Sequence, residues 1–138
     1  MNEPVEQIVP LESWPTDPRK RWLCAGNAFG IHLMQARKDA IDRIPKGTSE
    51  KAREKIEAAI DSAICGVLSL FDGYLPTAIG DDSHAEYALL ARYHRKGKKR
   101  PVEVIELAPD GDGLQMGFWG WVKNDFGIHS SPEQKSKK

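Results

Sequence analysis

The sequence predicts an α+β domain in which a long helical hairpin packs on a three-stranded antiparallel β-meander. Two stretches with apolar residues at helical spacing, over 17–44 and 48–73, predict the helices. Three later runs rich in β-branched and aromatic residues, 86–94, 102–107 and 114–122, predict the strands. Turn-forming residues separate these runs, so we expect consecutive strands to pair with one another.

The second helix is the element around which the rest of the chain is organised. Thr48 or Ser49 can cap its start with a hydroxyl group, and Gly73 can end it in a left-handed conformation. Its apolar residues recur every three or four positions and therefore share one face: Ile56, Ile60, Ala63, Ile64, Val67, Leu68 and Phe71. This apolar face needs a partner from elsewhere in the chain.

The first helix has equally clear end signals. Asp17 is a good capping residue, Pro18 suits the first helical position, and Pro45 stops the helix after Ile44. Gly26 and Gly30 lie four residues apart inside this helix. This position favours close packing against a neighbouring element, because the glycines of a phosphate loop precede a helix.

The chain length is that of one domain with its own core. We predict an extended N-terminal arm over 1–16, where three prolines occur, and a single α+β domain over 17–128. The polar residues 129–138 are predicted to form a flexible tail.

Composition restricts the compartment and the type of partner. The 20 Lys and Arg residues balance the 20 Asp and Glu residues, which disfavours a dedicated nucleic-acid binder. No apolar run approaches the roughly 20 residues that span a bilayer, and the N-terminus lacks the basic start of a secretory signal. We therefore predict a cytoplasmic protein that does not contact membranes.

The two cysteines, Cys24 and Cys65, lie within the two predicted helices. Cysteines in this setting are typically small buried apolar residues in a reducing compartment, and a disulfide between the helices is the alternative. Neither has the spacing of a metal site, and we predict no metal and no cofactor.

The predicted sheet carries apolar groups on both faces, although two helices cover only one face of so narrow a sheet. In the last predicted strand Trp119 and Trp121 point away from Leu114, Met116 and Phe118. One interpretation is that the arm covers this second face through Ile8, Val9, Leu11 and Trp14. The other is that the two indoles bind a partner, since Trp, Tyr and Arg dominate protein interfaces.

The charges are segregated along the chain. No Lys or Arg occurs over 56–91, whereas six occur over 92–100. One interpretation is that 92–100 is a solvated hairpin tip without a binding role, and the functional interpretation is that it binds an acidic protein or a phosphate backbone. A third possibility is that the acidic residues over 56–91 neutralise this basic segment within the same molecule.

A second candidate site lies near the loop over 74–86. Asp81, Asp82 and His84 are types of residue that hold divalent metals or transfer protons, and Tyr87 follows them closely. No metalloprotease-type register accompanies them, so a turn with exposed carboxylates is the simpler interpretation. These residues would serve a small-molecule-binding protein or an enzyme only if the fold brought them together around a cavity.

The function predicted from the sequence is non-catalytic protein binding, of the inhibitor, immunity or adaptor type. The partner is predicted to be another protein, with a homodimer through the sheet face as an alternative. The predicted binding residues are Trp119, Trp121, Arg92, His94, Lys98, Lys99 and Arg100. A small-molecule-binding protein or enzyme with a pocket near 74–86 is the first alternative. Nucleic-acid contact through 92–100 is the second, disfavoured by the neutral total charge.

Overall fold

The computed structural model describes residues 14–73, 77–109 and 113–126. The described elements are, in chain order, α1 (Pro18–Asp42), α2 (Glu50–Asp72), β1 (Ala78–Ile79), β2 (Ser83–His84), β3 (Leu90–Tyr93), β4 (Glu103–Glu106) and α3 (Leu114–Val122). The α+β class is confirmed as a helical pair with short antiparallel strand pairs. Within the described ranges, no helix is long and apolar enough to span a bilayer. The predicted arm before Trp14 and the predicted tail over 129–138 lie outside the described residues.

Both long helices begin and end as their sequence signals indicate. The Asp17 carboxylate accepts the Lys20 N–H at 3.1 Å, and the Ser49 hydroxyl accepts the Ala52 N–H at 3.2 Å. Gly73 follows α2 with a φ of 77°, a left-handed conformation that costs a glycine little. These contacts are local, which explains why sequence alone identifies them.

A bidentate ion pair joins the two helices. The Arg37 guanidinium donates to the two Asp61 carboxylate oxygens at 2.6 and 3.1 Å, and both side chains are partly buried. This hydrogen bonding raises the pKa of Arg37 above its usual value, against a smaller opposing effect of burial. The pair fixes how α1 and α2 lie against each other.

The predicted third strand over 114–122 is wrong, because these residues form the helix α3. The described strands instead make two separate two-stranded antiparallel sheets, β1–β2 and β3–β4, so the three-stranded meander is absent from the described residues. The buried residues of α3 are Leu114, Phe118 and Trp121, which follow one another at helical spacings of four and three. The β1–β2 hairpin lies within the stretch predicted to be a loop.

The N-terminus of α3 is capped by a residue from another helix. Gly113 occupies the capping position with a φ of 104° and has no side chain to offer. The carboxylate of Asp72, whose side chain is buried, accepts the Leu114 N–H at 3.1 Å and the Gln115 N–H at 2.7 Å. A carboxylate at a helix N-terminus satisfies unpaired amides and the positive end of the dipole together. Asp72 therefore ties α3 to the end of α2.

The opposite side of α3 packs on α1 through Trp121. The indole lies directly on Gly30, where an added Cβ would come within 2.3 Å of the ring. Its Nε1 donates to Asn27 Oδ1 at 3.1 Å, and the ring meets Phe29 edge to face. The prediction of close packing is thus confirmed for Gly30, while nothing lies within 4 Å of a Cβ at Gly26.

Only part of the predicted apolar face of α2 is buried. Cys65, Leu68, Ser69 and Asp72 are the buried residues of this helix. Val67, by contrast, is 54% exposed. Cys24 and Cys65 are both buried and are not joined by a disulfide, and burial raises the pKa of the Cys65 thiol.

The β3–β4 ribbon packs on α1 through one face. Ala91 pairs with Ile105 and Tyr93 with Glu103, and these four residues belong to the face that is turned towards the helix. Ile105 and Leu107 join Phe118 and Leu68 in the hydrophobic core. The Trp22 indole also donates to the backbone oxygen of Glu106 at 3.1 Å. The ribbon is therefore anchored on its inner face alone.

Candidate protein interface on the β3–β4 hairpin

The basic stretch predicted from the sequence forms the connection between β3 and β4. Its turn is closed by a hydrogen bond from the Lys98 N–H to the Arg95 oxygen at 3.0 Å. Gly97, with a φ of 79°, takes the left-handed position that such a turn requires. Antiparallel pairing of β3 with β4 then carries this turn at the end of a ribbon fixed on α1.

The outer face of the hairpin is apolar and open. Side chains alternate between faces along a strand, so Leu90 and Val104 point away from α1. They are 49% and 50% exposed, and the nearby Val102 is 52% exposed. Three large aliphatic residues thus lie on one hairpin without cover from the described part of the chain.

The cations beside this apolar face are exposed, and none forms an ion pair within the described ranges. They are Arg92, Arg95, Lys96, Lys98, Lys99 and Arg100, with His94 among them. The acidic residues over 56–91 do not neutralise them, since Asp61 pairs with Arg37 and Glu57 with Arg53. The field of these six charges is therefore directed to the solvent.

The only described part of the predicted arm lies on the inner face of the hairpin. The Trp14 indole stacks on the Tyr93 ring, with centroids 4.3 Å apart and planes 7° apart. Its Nε1 donates to Glu103 Oε1 at 3.2 Å, and Arg21 Nε lies 2.8 Å from the same oxygen. Trp14 therefore leaves the outer face open, and Ile8, Val9 and Leu11 lie outside the described residues.

The structure separates the two tryptophans that the sequence placed in one site. Trp121 is 5% exposed and held in the core by Asn27, whereas Trp119 is 51% exposed on the other side of α3. In a strand, positions 119 and 121 would point to the same face. In a helix, their side chains leave the axis in directions about 200° apart. Arg92, His94, Lys98, Lys99 and Arg100 are together on the hairpin, and neither tryptophan belongs to it.

A cleft of about 540 Å³ lies between the end of α2, the segment after β2 and the end of β4, near the predicted alternative pocket. His84 and Tyr87 line it, together with Phe71 and Glu106, but Asp81 and Asp82 do not. Those two aspartates are exposed in the β1–β2 turn, and His84 Nε2 is 3.6 Å from Glu86 Oε1 at the surface. The predicted set is thus divided between the cleft and a solvent-exposed turn.

No part of the chain that the structure describes groups three or more His, Cys, Asp or Glu residues as a metal site does. The β1–β2 turn has carboxylates, but two exposed aspartates without converging ligands do not enclose a cation. The cleft accordingly offers shape and a few polar groups, without a described nucleophile–base pair.

Sequence reasoning missed Leu90, Val102 and Val104, although a signal for them existed. Both predicted strands, 86–94 and 102–107, carry apolar residues on each of their two faces. If a helix covers one face, the apolar residues of the other face remain exposed. The preference of protein interfaces for aromatic residues favoured Trp121 instead.

Three comparisons, with protein-family models, with curated proteins and with solved structures, found no match for this chain.

Proposed function

We propose that this protein is a non-catalytic protein-binding domain of the inhibitor, immunity or adaptor type, acting in the cytoplasm. Its partner is a protein with an acidic surface beside an apolar one. The partner docks on the outer face of the β3–β4 hairpin and on its basic turn. Trp121 is not part of this interface, because its indole is enclosed within the core.

The single observation that carries the proposal is the adjacency, on one anchored hairpin, of open aliphatic groups and of cations that form no ion pair with any described residue. Burying Leu90, Val102 and Val104 would contribute free energy by removing apolar area from water. The six cations would attract an acidic partner and orient it before contact. Anchoring the ribbon through Trp22 of α1 and through Trp14, which precedes α1, reduces the ordering cost of binding.

Nucleic-acid contact is the second candidate, and the same six cations favour it, since phosphates bind unpaired Lys and Arg. The open aliphatic face argues for a protein partner instead. Proteins that bind single-stranded nucleic acids stack the bases on aromatic side chains, whereas the exposed large residues of the outer face are aliphatic. The neutral total charge further weakens the nucleic-acid case.

The test is affinity capture from the source cells with three forms of the full chain. The first is wild type, the second reverses the turn charges (Lys98→Glu, Lys99→Glu, Arg100→Glu), and the third is a matched control. The control reverses three exposed lysines around the start of α2 (Lys46→Glu, Lys51→Glu, Lys55→Glu), so that both variants change the net charge equally.

We expect the turn variant to lose at least about 90% of one specific protein, a loss worth roughly 1.4 kcal/mol or more in binding. The control should retain that protein. A fourth form, Val104→Asp, should lose it too, because the apolar face would then carry a charge. Equal retention by wild type and turn variant contradicts the proposal. Capture that disappears on nuclease treatment identifies the nucleic-acid alternative.

A further inference from the structure

The cleft at the end of α2 shares no lining residue with the proposed interface on the hairpin. Its volume of about 540 Å³ falls within the roughly 300–1,000 Å³ that is typical of small-molecule sites. Leu70 and Phe71 of α2 form one wall, the consecutive residues 84–88 form a second, and the end of β4 forms a third. The cleft is therefore a separate candidate for binding.

Backbone hydrogen bonds hold the second wall of this cleft in place. The Ala85 N–H donates to the Thr77 oxygen at 2.9 Å and so ties the segment to the β1–β2 hairpin. The Leu107 N–H donates to the Leu89 oxygen at 2.9 Å and ties the other end of the segment to the residues after β4. A wall that is fixed near both ends lowers the ordering cost when a ligand binds.

The electrostatics of the cleft favour a positively charged ligand. Glu86 and Glu106 line it, and none of its described lining residues is Lys or Arg. Neither carboxylate forms an ion pair with a Lys or Arg of the described ranges, and the nearest basic group to Glu86 is His84 Nε2, 3.6 Å away. The cleft also borders the C-terminal end of α2, where the helix dipole is negative and the last turn contains no basic residue.

Two aromatic rings, those of Phe71 and Tyr87, line the same cleft. Tyr87 is 51% exposed, and the faces of such rings attract ammonium and guanidinium groups. A bare metal ion fits less well, because no three His, Cys, Asp or Glu residues in the described part of the chain are grouped as metal ligands are. The rings and the carboxylates together therefore suit an organic cation.

We propose that this cleft binds an organic ammonium ion, held by the carboxylates of Glu86 and Glu106 and by the rings of Phe71 and Tyr87. The ligand is a free alkylamine or the side chain of a lysine, which present the same ammonium group on the same kind of carbon stem. This activity is independent of the proposed protein interface, because the six cations and the open aliphatic residues of the hairpin do not line the cleft.

The test is an NMR titration of the full chain with butylammonium at constant ionic strength, in which the amides of residues 85–88 are followed. Wild type is compared with Glu86→Gln/Glu106→Gln, which removes the two carboxylates without changing side-chain size. The matched control is Glu50→Gln/Glu54→Gln, which removes two exposed carboxylates from the first turns of α2. Glu54 precedes Leu70 by 16 residues, about 24 Å along the helix. Butyrate, which has a similar stem with a negative charge, is titrated in parallel.

In wild type and in the control we expect saturable shifts at 85–88 with a Kd below about 10 mM. The affinity of Glu86→Gln/Glu106→Gln should be at least about tenfold lower, and butyrate should cause no saturable shift. Equal affinity in all three forms overturns the proposal, as does equally tight binding of butyrate or the absence of saturable shifts in wild type.

A further titration with Nα-acetyl-lysinamide distinguishes the two sources of the ammonium group. Binding at least as tight as that of butylammonium supports the cleft as a site for a lysine side chain of another protein. Weaker binding supports it as a site for a free amine, because the peptide groups then obstruct entry. The amides of residues 92–100 should not shift with either ligand, since the basic turn does not line the cleft.

Discussion

The helix α3 and the β3–β4 hairpin both come from the second half of the sequence and both carry large apolar residues, yet they use them in opposite ways. α3 buries Leu114, Phe118 and Trp121 between two helices. The hairpin buries one face on α1 and leaves Leu90 and Val104 open on the other. Apolar composition alone therefore does not identify an interface. Which elements flank a segment decides whether its apolar groups form the core or a surface.

The two tryptophans of α3 give the largest effect by which to test this comparison. We expect Trp121→Ala to reduce the free energy of unfolding by about 3–5 kcal/mol, because it leaves a cavity between α3 and α1. Trp119→Ala should cost less than about 1 kcal/mol, since half of that side chain is exposed. Urea denaturation of both variants measures the difference. Similar losses would show that the two indoles are not divided between core and surface.

Asp72 tests whether α3 depends on its cap from α2. Asp72→Ala leaves the buried Leu114 amide and the partly buried Gln115 amide without their acceptor and should cost about 2–3 kcal/mol. Asp72→Asn, which keeps one acceptor oxygen, should cost less. The control is Asp82→Ala in the exposed β1–β2 turn, where we expect a change below about 0.5 kcal/mol. Thermal unfolding would contradict the capping role if Asp72→Ala and Asp82→Ala behaved alike.

Gly26 and Gly30, both in α1, test how closely α3 packs on that helix. Gly30→Ala forces the Trp121 ring to move and should destabilise the protein by about 1–3 kcal/mol. Gly26→Ala meets open space and should stabilise it by about 0.5–1 kcal/mol through lower chain entropy. Opposite signs in chemical denaturation are the expected result. A stabilising Gly30→Ala would mean that the indole does not lie on this backbone.

The smallest stability effect is expected in the hairpin turn, where the functional effect is expected to be large. Reversal of Lys98, Lys99 and Arg100 breaks no ion pair in the described part of the chain, so the free energy of unfolding should change by less than about 1 kcal/mol. Circular dichroism during thermal unfolding measures it. Loss of the folded state would make the basic turn a structural element and remove the basis for assigning it to binding.

The long helices could be predicted from sequence because their signals are local. Asp17 and Ser49 cap helices whose amides lie three residues away, and Gly73 ends α2 through its own backbone conformation. The hairpin strands could also be predicted, although β3 and β4 are shorter than the apolar runs that indicated them. Both depend on patterns within a few residues.

The nine residues of α3 satisfied two patterns at once. Leu114, Met116 and Phe118 alternate as in a strand, while Leu114, Phe118 and Trp121 recur as in a helix. Gly117 and Gly120 argued against a strand, but glycine also weakens a helix. The helix is favoured by Asp72, 42 residues away from the Leu114 amide that it caps, and by the packing of the Trp121 indole on Gly30 of α1.

By itself, the sequence determined the helical pair, the position of the basic turn and the segregation of charge, because each depends on neighbouring residues. Only the tertiary structure decided that Trp121 is core, that Leu90 and Val104 are surface, and that Asp81 and Asp82 lie apart from the cleft. These outcomes depend on contacts between distant segments. Burial is a property of the space between elements, and no local pattern of side chains specifies which element will fill that space.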